Sequence, residues 1–385
     1  MGRHYLQIPG PSNVPEEVLR ATARPTIDHR GPEFQAMGKR ILANVKAVFK
    51  TTRPVIIYPA SGTGAWEAAL VNTLSPGDRV LYFETGHFAT LWQQMAAELG
   101  LVVDLVPGDW RHGVDTEVLA ERLAADTNHE IKAVCCVHNE TSTGVTSRIG
   151  DVRTAIDDTG HSALLLVDTI SGLGSIDYRH DEWGVDVTIA GSQKGLMLPP
   201  GLGFNAVSDK ALAAYETAEL RKSYWDWKPI LDANANGFWP STPATNLLYG
   251  LEVALRLFDE EGIENVFARH QRYSAATRAA VAAWGGGLEV QCLDDREHSG
   301  ALTAIRVPDG HDADAIRKLI LERFDMSLGA GLSKVAGKVF RIGHLGWFED
   351  LSLIGTLGGV QIGLSLAGVP IKKDGVDAAM EVLEQ

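Results

Sequence analysis

The stretch ALLLVDTISGLGSIDYRHDEWGVDVTIAGSQKG, residues 163–195, decides the fold of this chain. It contains two short, largely apolar runs, at 163–167 and 185–190, and each leads directly into polar residues. Nearly continuous apolar runs indicate strands that are covered on both faces, as in a parallel sheet. The first run is followed by Asp168 and the second by Lys194. Because open parallel sheets bind ligands at the carboxyl ends of their strands, both side chains are predicted to lie at a functional edge.

The alternation of apolar runs and amphipathic stretches continues outward from this segment toward the N-terminus. Further strands are predicted at 54–60, 79–84, 101–107 and 131–139, and helices at 64–74, 87–100, 115–126 and 149–160. Regular alternation of strands and helices favours a parallel sheet with helices on both faces. We therefore predict an α/β fold whose large domain is a mostly parallel sheet sandwiched by helices.

The pattern changes near residue 250. A long helical stretch covers 247–284, and strand and helix candidates then mix at 301–308, 312–324 and 337–346. This mixture predicts a smaller C-terminal α+β domain. The predicted organisation is an N-terminal arm over 1–20, a large domain over 21–250 that carries the cofactor, and a small domain over 251–385.

Charge and cysteine usage narrow the class of protein. The chain has 385 residues and a formal net charge of −14, so most of its surface would repel nucleic acid and anionic lipid. No run of about 18 apolar residues occurs, so we expect no membrane span. Cys135, Cys136 and Cys292 form no disulfide framework, which favours a reducing cytoplasm. No histidine spacing typical of a metal motif occurs, and no metal is expected.

Asp168 and Lys194 predict a specific chemistry when they are taken together. Alone, an aspartate after a strand commonly caps the next turn, and a lysine in that position is commonly a surface residue. A cofactor whose ring nitrogen must stay protonated needs an anion beside it, and its aldehyde needs an amine nucleophile. An aspartate and a lysine at the ends of successive strands supply both groups.

The segment SGTGAWEAAL, residues 61–70, places two glycines where a predicted strand gives way to a helix. Helix N-termini present free backbone N–H groups that bind phosphate, and glycine allows a close approach. The segment has neither the GxxxxGK pattern of a nucleotide-binding loop nor a GxGxxG dinucleotide fingerprint. On this segment alone, a phosphate site and an ordinary helix cap both remain open.

Several segments carry a resemblance to a known family. They are IPGPSNVP (8–15), SGTGAWEAALVNTLSPGD (61–78), HNETSTGV (138–145), GSQKG (191–195), TPATNLLYGL (242–251) and VFRIGHLG (339–346). In this order they resemble the class V branch of the fold-type I pyridoxal-phosphate enzymes, and within it the serine–glyoxylate and alanine–glyoxylate aminotransferases. The resemblance covers essentially the whole chain. It implies pyridoxal 5′-phosphate as cofactor and a homodimer with shared active sites.

The resemblance also implies roles for single residues. Lys194 matches the Schiff-base lysine, which also moves a proton at the α-carbon of the substrate. Asp168 matches the residue that pairs with the ring nitrogen, and Phe88 matches the aromatic residue that stacks on the ring. The remaining cofactor-binding residues that the resemblance implies are Ser61, Gly62, Thr63, Thr141, Gln193 and Thr242.

On the substrate side, Arg341 matches the arginine that binds the substrate carboxylate. A guanidinium can hold a carboxylate through two parallel hydrogen bonds. Gly10 matches a turn at the substrate-side lip. Phe238 departs from the alanine–glyoxylate pattern, which has a tyrosine there, and this departure places more weight on Ser241 or Thr242 as the source of a hydroxyl. That segment is expected to reach the phosphate pocket of the partner subunit.

The leading prediction for the reaction is transfer of an amino group from serine to glyoxylate, giving glycine. Aspartate is the alternative donor, and its side-chain carboxylate needs a second cation, for which Arg30 is a candidate. A less favoured alternative is a class V enzyme resembling the cysteine desulfurases, which need a reactive cysteine on a mobile loop. Cys292 follows a predicted strand instead. The substrates are in each case small amino acids and 2-oxo acids.

Overall fold

The computed structural model describes residues 4–385, and the first three residues of the predicted N-terminal arm lie outside this range. A large sheet occupies the middle of the fold, and a smaller sheet lies beside it. The strands of the large sheet are β2 (Val55–Ala60), β3 (Arg79–Phe83), β4 (Val102–Val106), β5 (Ile131–Val137), β8 (Leu164–Asp168), β9 (Val187–Gly191) and β10 (Gly201–Val207).

The seven strands of the large sheet lie in the order β2-β10-β9-β8-β5-β3-β4. Neighbouring strands from β9 to β4 run parallel, whereas β10 runs antiparallel to both β2 and β9. The predicted α/β class and the mostly parallel sheet are therefore confirmed. A short hairpin, β6 (Asn139–Glu140) and β7 (Val145–Thr146), follows β5 and was not predicted.

Helices cover both faces of the large sheet because its strands are apolar on both sides. Along β5, Val134 and Cys136 join one apolar core, while Ala133, Cys135 and Val137 join the other. This is the alternation that a doubly covered strand requires. On the first face lie α1 (Glu16–Thr22), α2 (Pro32–Phe49), α5 (Thr116–Ala125), α6 (Ile149–Asp158) and α9 (Thr245–Glu261). On the second lie α3 (Gly62–Thr73), α4 (His87–Glu98), α7 (Asp209–Tyr215) and α8 (Trp227–Asn234).

The smaller sheet has five strands in the order β1-β13-β14-β12-β11. Its strands are β1 (Tyr5–Gln7), β11 (Glu289–Val290), β12 (Leu302–Arg306), β13 (Met326–Ala330) and β14 (Val339–Gly343). A third apolar core joins this sheet to α10 (Ile263–Trp284), α11 (Ala313–Phe324), α12 (Asp350–Leu366) and α13 (Gly375–Leu383). The N-terminal arm, predicted to be irregular, contributes β1, which pairs in parallel with β13.

Two features bear on the predicted domain boundaries. The long helical stretch after residue 245 is divided at Gly262, whose φ of 82° is in the left-handed region. The helix α9 runs through residue 250 without a break, so the division at 250/251 stays a prediction. In the part of the chain from residue 4 to 385, no helix is both long enough and apolar enough to cross a membrane.

Candidate active site

Two neighbouring strands bring Asp168 and Lys194 to one edge of the large sheet. Asp168 is the last residue of β8, and Lys194 follows β9 by three residues. Because β8 and β9 are parallel neighbours, their carboxyl ends lie side by side. Both side chains face one cavity of about 130 Å³. Its lining residues are Gly62, Thr63, Trp66, Phe88, Asn139, Thr141, Asp168, Ile170, Gln193 and Lys194.

The Asp168 carboxylate is buried and held by two N–H donors. The backbone N–H of Ile170 donates to Oδ1 at 2.7 Å, and the indole Nε1–H of Trp66 donates to Oδ2 at 2.9 Å. Burial raises the pKa of Asp168 to about 7, although both hydrogen bonds act in the opposite direction. A cationic group bound in the cavity would therefore stabilise the ionised form of the Asp168 carboxylate.

The amine of Lys194 is held by the N-terminal arm. Its Nζ donates a hydrogen bond to the carbonyl oxygen of Pro9 at 2.6 Å. Ser12 fastens the arm from the other side, because its backbone N–H donates to the Gln193 carbonyl and its hydroxyl donates to the Lys194 carbonyl. Burial and the positive charge of Arg341 together lower the pKa of Lys194 to about 8, although the negative charge of Asp168 acts in the opposite direction. The lysine is thus prepared to act as a neutral amine near physiological pH.

Gly10 belongs to this contact between the arm and the lysine. Its φ is +98°, and a Cβ added there would lie 2.3 Å from Cδ and 2.5 Å from Nζ of Lys194. The predicted place of Gly10 at the lip of the site therefore has a steric reason: any larger residue would push on the lysine.

We expect Gly10→Ala to weaken binding of pyridoxal phosphate about tenfold to a hundredfold, because a small displacement of a reacting group has effects of this size. The quantity measured is protein-bound absorbance across a cofactor titration. Gly77→Ala is the matched control, since Gly77 has a φ of +85° but no atom within 4 Å of the added Cβ. Both variants should lose about 1–2 kcal/mol of unfolding free energy to the positive φ. Equal cofactor binding by both variants would contradict the contact's role.

The N-terminus of α3 forms the opposite end of the cavity. Ser61 is the N-cap residue and its side chain makes no capping bond, while Gly62 and Thr63 line the cavity. The side-chain Oε1 of Gln193 is buried without a hydrogen-bond partner among the described residues. A helix N-terminus with free N–H groups and a nearby hydroxyl fits a phosphate group. Ser61 is exposed and lies beside the cavity rather than in its lining.

Phe88 and Thr141 both line the cavity and share one support, Glu140. The buried Glu140 carboxylate accepts hydrogen bonds from the backbone N–H groups of Phe88, Ala89 and Ser142 at 3.1, 3.1 and 3.0 Å. It therefore caps the N-terminus of α4, where negative charge is favourable. The Thr141 hydroxyl donates to Ser171 Oγ at 2.7 Å. Phe88 is thereby held at the cavity, and its stacking on a cofactor ring stays a prediction.

Arg341 lies on β14 and is buried, with 6% of its surface exposed. Its Nε donates to the carbonyl oxygen of Ala330 and its Nη1 to that of Thr141, both at 2.7 Å. Within residues 4–385 no carboxylate forms a salt bridge with it, and its Nη2 has no hydrogen bond. Burial lowers its pKa to about 10. A buried guanidinium without an ion-pair partner is costly unless an anion binds, and it therefore favours a carboxylate ligand.

Two predicted residues lie away from the cavity within a single chain, and Arg341 is not among its lining residues although it contacts one of them, Thr141. Thr242 is exposed in the segment that precedes α9. Arg30 is also exposed, and its one recorded hydrogen bond runs from its backbone N–H to Asp28. Phe238 stacks on Phe34 with ring centroids 6.4 Å apart. The roles of Thr242 and Arg30 stay predictions that only an assembly of chains can test.

Several residues of the site were not singled out from the sequence. Trp66 and Glu140 support Asp168 and Phe88, and Asn139 and Ile170 line the cavity. A signal for Trp66 existed, because it follows Gly62 by four residues on a helix and therefore shares its face. Glu140 stands inside the quoted segment HNETSTGV. Nothing in the sequence predicts that its carboxylate is buried near the second acidic residue, Asp168.

Cys292 provides a check on the less favoured alternative. Its thiol is buried, contacts the carbonyl oxygen of Asp294 at 3.5 Å, and is not among the residues that line the cavity. Burial raises its pKa to about 12. A thiol with this pKa is a poor nucleophile, because the thiolate is the reactive form.

Comparisons with known proteins agree with this geometry. A family model for class-V aminotransferases matches residues 4–347. The serine–glyoxylate aminotransferase of Arabidopsis thaliana is 49% identical over 100% of this chain and 96% of its own length. The L-aspartate–glyoxylate aminotransferase of Paracoccus denitrificans is 46% identical over 98% of this chain and 96% of its own. The crystal structure of ureidoglycine–glyoxylate aminotransferase from Bacillus subtilis superposes with a TM-score of 0.91 at 26% identity, covering 100% of this chain and 99% of that one.

Proposed function

Because the chain belongs to the class-V aminotransferases, we propose that it transfers the amino group of L-serine to glyoxylate and so produces glycine. It is a transaminase by family, and its cofactor is pyridoxal 5′-phosphate. The single observation that carries the proposal is the cavity that Asp168 and Lys194 both line, with Arg341 bonded to the carbonyl of Thr141, another of its lining residues. The amino donor and the roles of individual residues are the proposed part.

The residues around the cavity fit this cofactor. When bound, pyridoxal phosphate supplies an aldehyde that takes up the amino group and a ring that withdraws negative charge from the substrate's α-carbon. Asp168 would hold the ring nitrogen in its protonated form, and Phe88 would cover the ring face. The phosphate would be held by the N-terminus of α3 through Ser61, Gly62 and Thr63, with Gln193 beside it.

Lys194 would move the proton. Its amine takes a proton from the α-carbon of the donor and later returns one, which requires that both the neutral and the charged form be accessible. A pKa of about 8 gives access to both forms near neutral pH. The carbonyl oxygen of Pro9, which accepts a hydrogen bond from Nζ, would orient the amine during this exchange.

Arg341 would bind the α-carboxylate that amino donor and amino acceptor share. Two of its N–H groups are already engaged by the carbonyls of Ala330 and Thr141, and these contacts fix the plane of the guanidinium. Both N–H groups of Nη2 and the second N–H of Nη1 remain for the substrate. Glyoxylate has only about five heavy atoms, so packing can contribute little and a charge-assisted fork must supply most of its binding.

Serine is favoured over aspartate by the charges around the cavity. Among the lining residues within 4–385, Lys194 is the one that carries positive charge, and Arg341 adjoins them through Thr141. A second carboxylate on the donor would therefore lack a cation unless another chain supplies one. Aspartate stays the second candidate because a 46% identical relative bears the name L-aspartate–glyoxylate aminotransferase.

The donor can be identified by a half-reaction. The protein, loaded with pyridoxal phosphate, is mixed with L-serine or with L-aspartate in the absence of any keto acid, and its visible absorbance is followed. We expect serine to convert the cofactor to its amine form at least about tenfold more efficiently than aspartate, since an unpaired carboxylate in the site is penalised. Faster bleaching by aspartate would reverse the assignment. A protein that never takes up the cofactor would remove the proposed function itself.

We propose a homodimer in which Thr242 or Ser241 completes the phosphate site of the partner. Both residues are exposed, and Ser241 lines a groove of about 280 Å³ together with Pro59 and Tyr224. Tyr224 is 57% exposed at this groove. Full activity in a protein that sediments as a monomer would contradict this. A cytoplasmic location is proposed on three free, buried cysteines.

A further inference from the structure

The Trp66 indole that contacts Asp168 lies nearly parallel to a second indole ring, that of Trp92. Trp66 and Trp92 stack with ring centroids 6.0 Å apart and an angle of 14° between the rings. Tyr82 meets Trp92 edge-on at 5.4 Å. All three side chains are at least 97% buried. Both rings contribute to one stack, although Trp66 also lines the cavity and Trp92 does not.

Their N–H groups are not equivalent. The Trp66 indole donates to Asp168 Oδ2 at 2.9 Å, whereas Nε1 of Trp92 is buried without a partner among the described residues. A tryptophan N–H usually finds a partner when it is buried. Replacing a tryptophan ordinarily removes its packing and its hydrogen bond together. Here the two effects can be separated, because the Trp66 ring both packs and donates, whereas the Trp92 ring only packs.

We propose that Trp66 is a positioning residue for the cofactor, because its indole N–H fixes the Asp168 carboxylate in the orientation and the ionised state that hold a protonated ring nitrogen. This inference deepens the proposed function and rests on it. With Ile170 N–H on Oδ1 and Trp66 on Oδ2, the carboxylate has a donor on each oxygen and cannot rotate freely. Its remaining lone pairs are left for the cofactor.

Several groups act in opposite directions on the protonation state of Asp168, so the loss of a single hydrogen-bond donor changes it. The ionisable groups that face it are Glu140 from β6, Lys194 after β9 and Tyr178. Glu140 disfavours the ionised carboxylate and Lys194 favours it, while burial raises its pKa to about 7. The Trp66 N–H favours ionisation. Removing it therefore raises the pKa of Asp168 further and leaves a smaller ionised fraction at neutral pH.

The test compares Trp66→Phe with Trp92→Phe. Each change removes an indole from the same stack, but only the first removes a donor to Asp168. The dissociation constant of pyridoxal phosphate is measured from pH 6 to 9 by titration of protein-bound absorbance. We expect Trp66→Phe to bind about tenfold to a hundredfold more weakly at pH 7, the factor for losing one hydrogen bond to a charged group.

The pH dependence of cofactor binding distinguishes a positioning role of Trp66 from a purely structural one. In Trp66→Phe the midpoint of cofactor binding should move about one pH unit or more toward higher pH, since the carboxylate must lose its proton to bind. Titration of the cofactor itself is common to all variants and cancels in the comparison. Trp92→Phe should keep the wild-type midpoint. Matching profiles for the two variants would overturn the proposal, while a wild-type protein that binds no cofactor would overturn the proposed function instead.

A double-mutant cycle keeps the test decisive if Trp66→Phe folds poorly. In an Asp168→Asn background there is no carboxylate charge for the indole to stabilise, so adding Trp66→Phe should change the dissociation constant less than about twofold. An effect as large as in the wild-type background would assign Trp66 to packing alone.

Discussion

Lys194→Ala is expected to reduce the rate of serine–glyoxylate transamination by about four orders of magnitude, the upper range for loss of a general base. The variant loses both the amine that attacks the cofactor aldehyde and the group that moves the proton. Two measurements follow. The steady-state rate should collapse, and the absorption of the lysine-bound cofactor should be absent although the variant still takes up pyridoxal phosphate through Asp168 and the α3 end.

Rescue by added primary amines distinguishes loss of the Lys194 amine from misfolding of the variant. Methylamine or ethylamine can enter the space that the side chain leaves and act as a proton carrier, so the rate should rise in proportion to the concentration of free amine. A misfolded variant would show no such rescue. Lys318→Ala is the control, since the Lys318 side chain is 75% exposed on α11 and should leave the rate unchanged. Persistence of at least a tenth of the wild-type rate in Lys194→Ala would remove its proposed role.

Arg341→Gln is expected to lower kcat/KM for both serine and glyoxylate by about 30-fold to several thousand-fold, equivalent to about 2–5 kcal/mol for a desolvated charge pair. Glutamine can still donate toward the carbonyls that Arg341 contacts, but it offers no charge and no fork to a carboxylate. The loss should fall mainly on KM, because the carboxylate is held in the ground state and the transition state alike. Steady-state kinetics with each substrate varied in turn measures this split.

The small sheet offers a matched control for Arg341. Arg306 lies on the neighbouring strand β12, and its guanidinium binds Gln291 rather than the cavity region. Arg306→Gln should leave both Michaelis constants within about twofold of the wild-type values, since no substrate contact is lost. Cofactor absorbance should be unchanged in Arg341→Gln, which separates it from Lys194→Ala. An Arg341→Gln variant with wild-type KM for glyoxylate would place the carboxylate elsewhere.

The parallel part of the large sheet could be predicted because strands that are buried on both faces appear in the sequence as nearly continuous apolar runs. Strands such as β5 and β8 are apolar at every or nearly every position, and each is followed by an amphipathic helix. β10, GLGFNAV, was missed for a physical reason. It runs antiparallel beside β9, so the connection between the two strands needs no helix that would have indicated a further strand. Its two glycines also weaken the strand pattern.

The small sheet was less predictable because its strands come from distant parts of the sequence. β1 lies at the N-terminus and pairs with β13 some 320 residues later. A three-residue strand with one buried side chain has no periodicity to detect. Its existence depends on the exposed edge that β13 provides, which is a property of the folded chain rather than of the segment.

For the site, sequence patterns predicted Asp168 and Lys194, to which we assign the chemistry, but not the residues that hold Asp168 and Phe88 in place. Asp168 and Lys194 were found because strand order fixes where strand ends meet. Trp66 was missed because an apolar residue on a helix ordinarily packs, and nothing local reveals that its N–H points at a carboxylate. Arg30 and Thr242 were predicted by resemblance, yet they lie away from the cavity of a single chain.

Glu140 limits how such a site can diversify. Its carboxylate anchors the N-terminus of α4 that carries Phe88, and the next residue, Thr141, uses its carbonyl to hold Arg341 at 2.7 Å. Phe88, proposed to cover the cofactor ring, and Arg341, proposed to bind the substrate, are thus both held by residues 140–141. A lineage that acquires a new amino donor cannot alter this turn without also loosening its cofactor. Selection for new donors should therefore act on residues at the open lip, and laboratory libraries aimed at donor preference should leave residues 140–142 untouched.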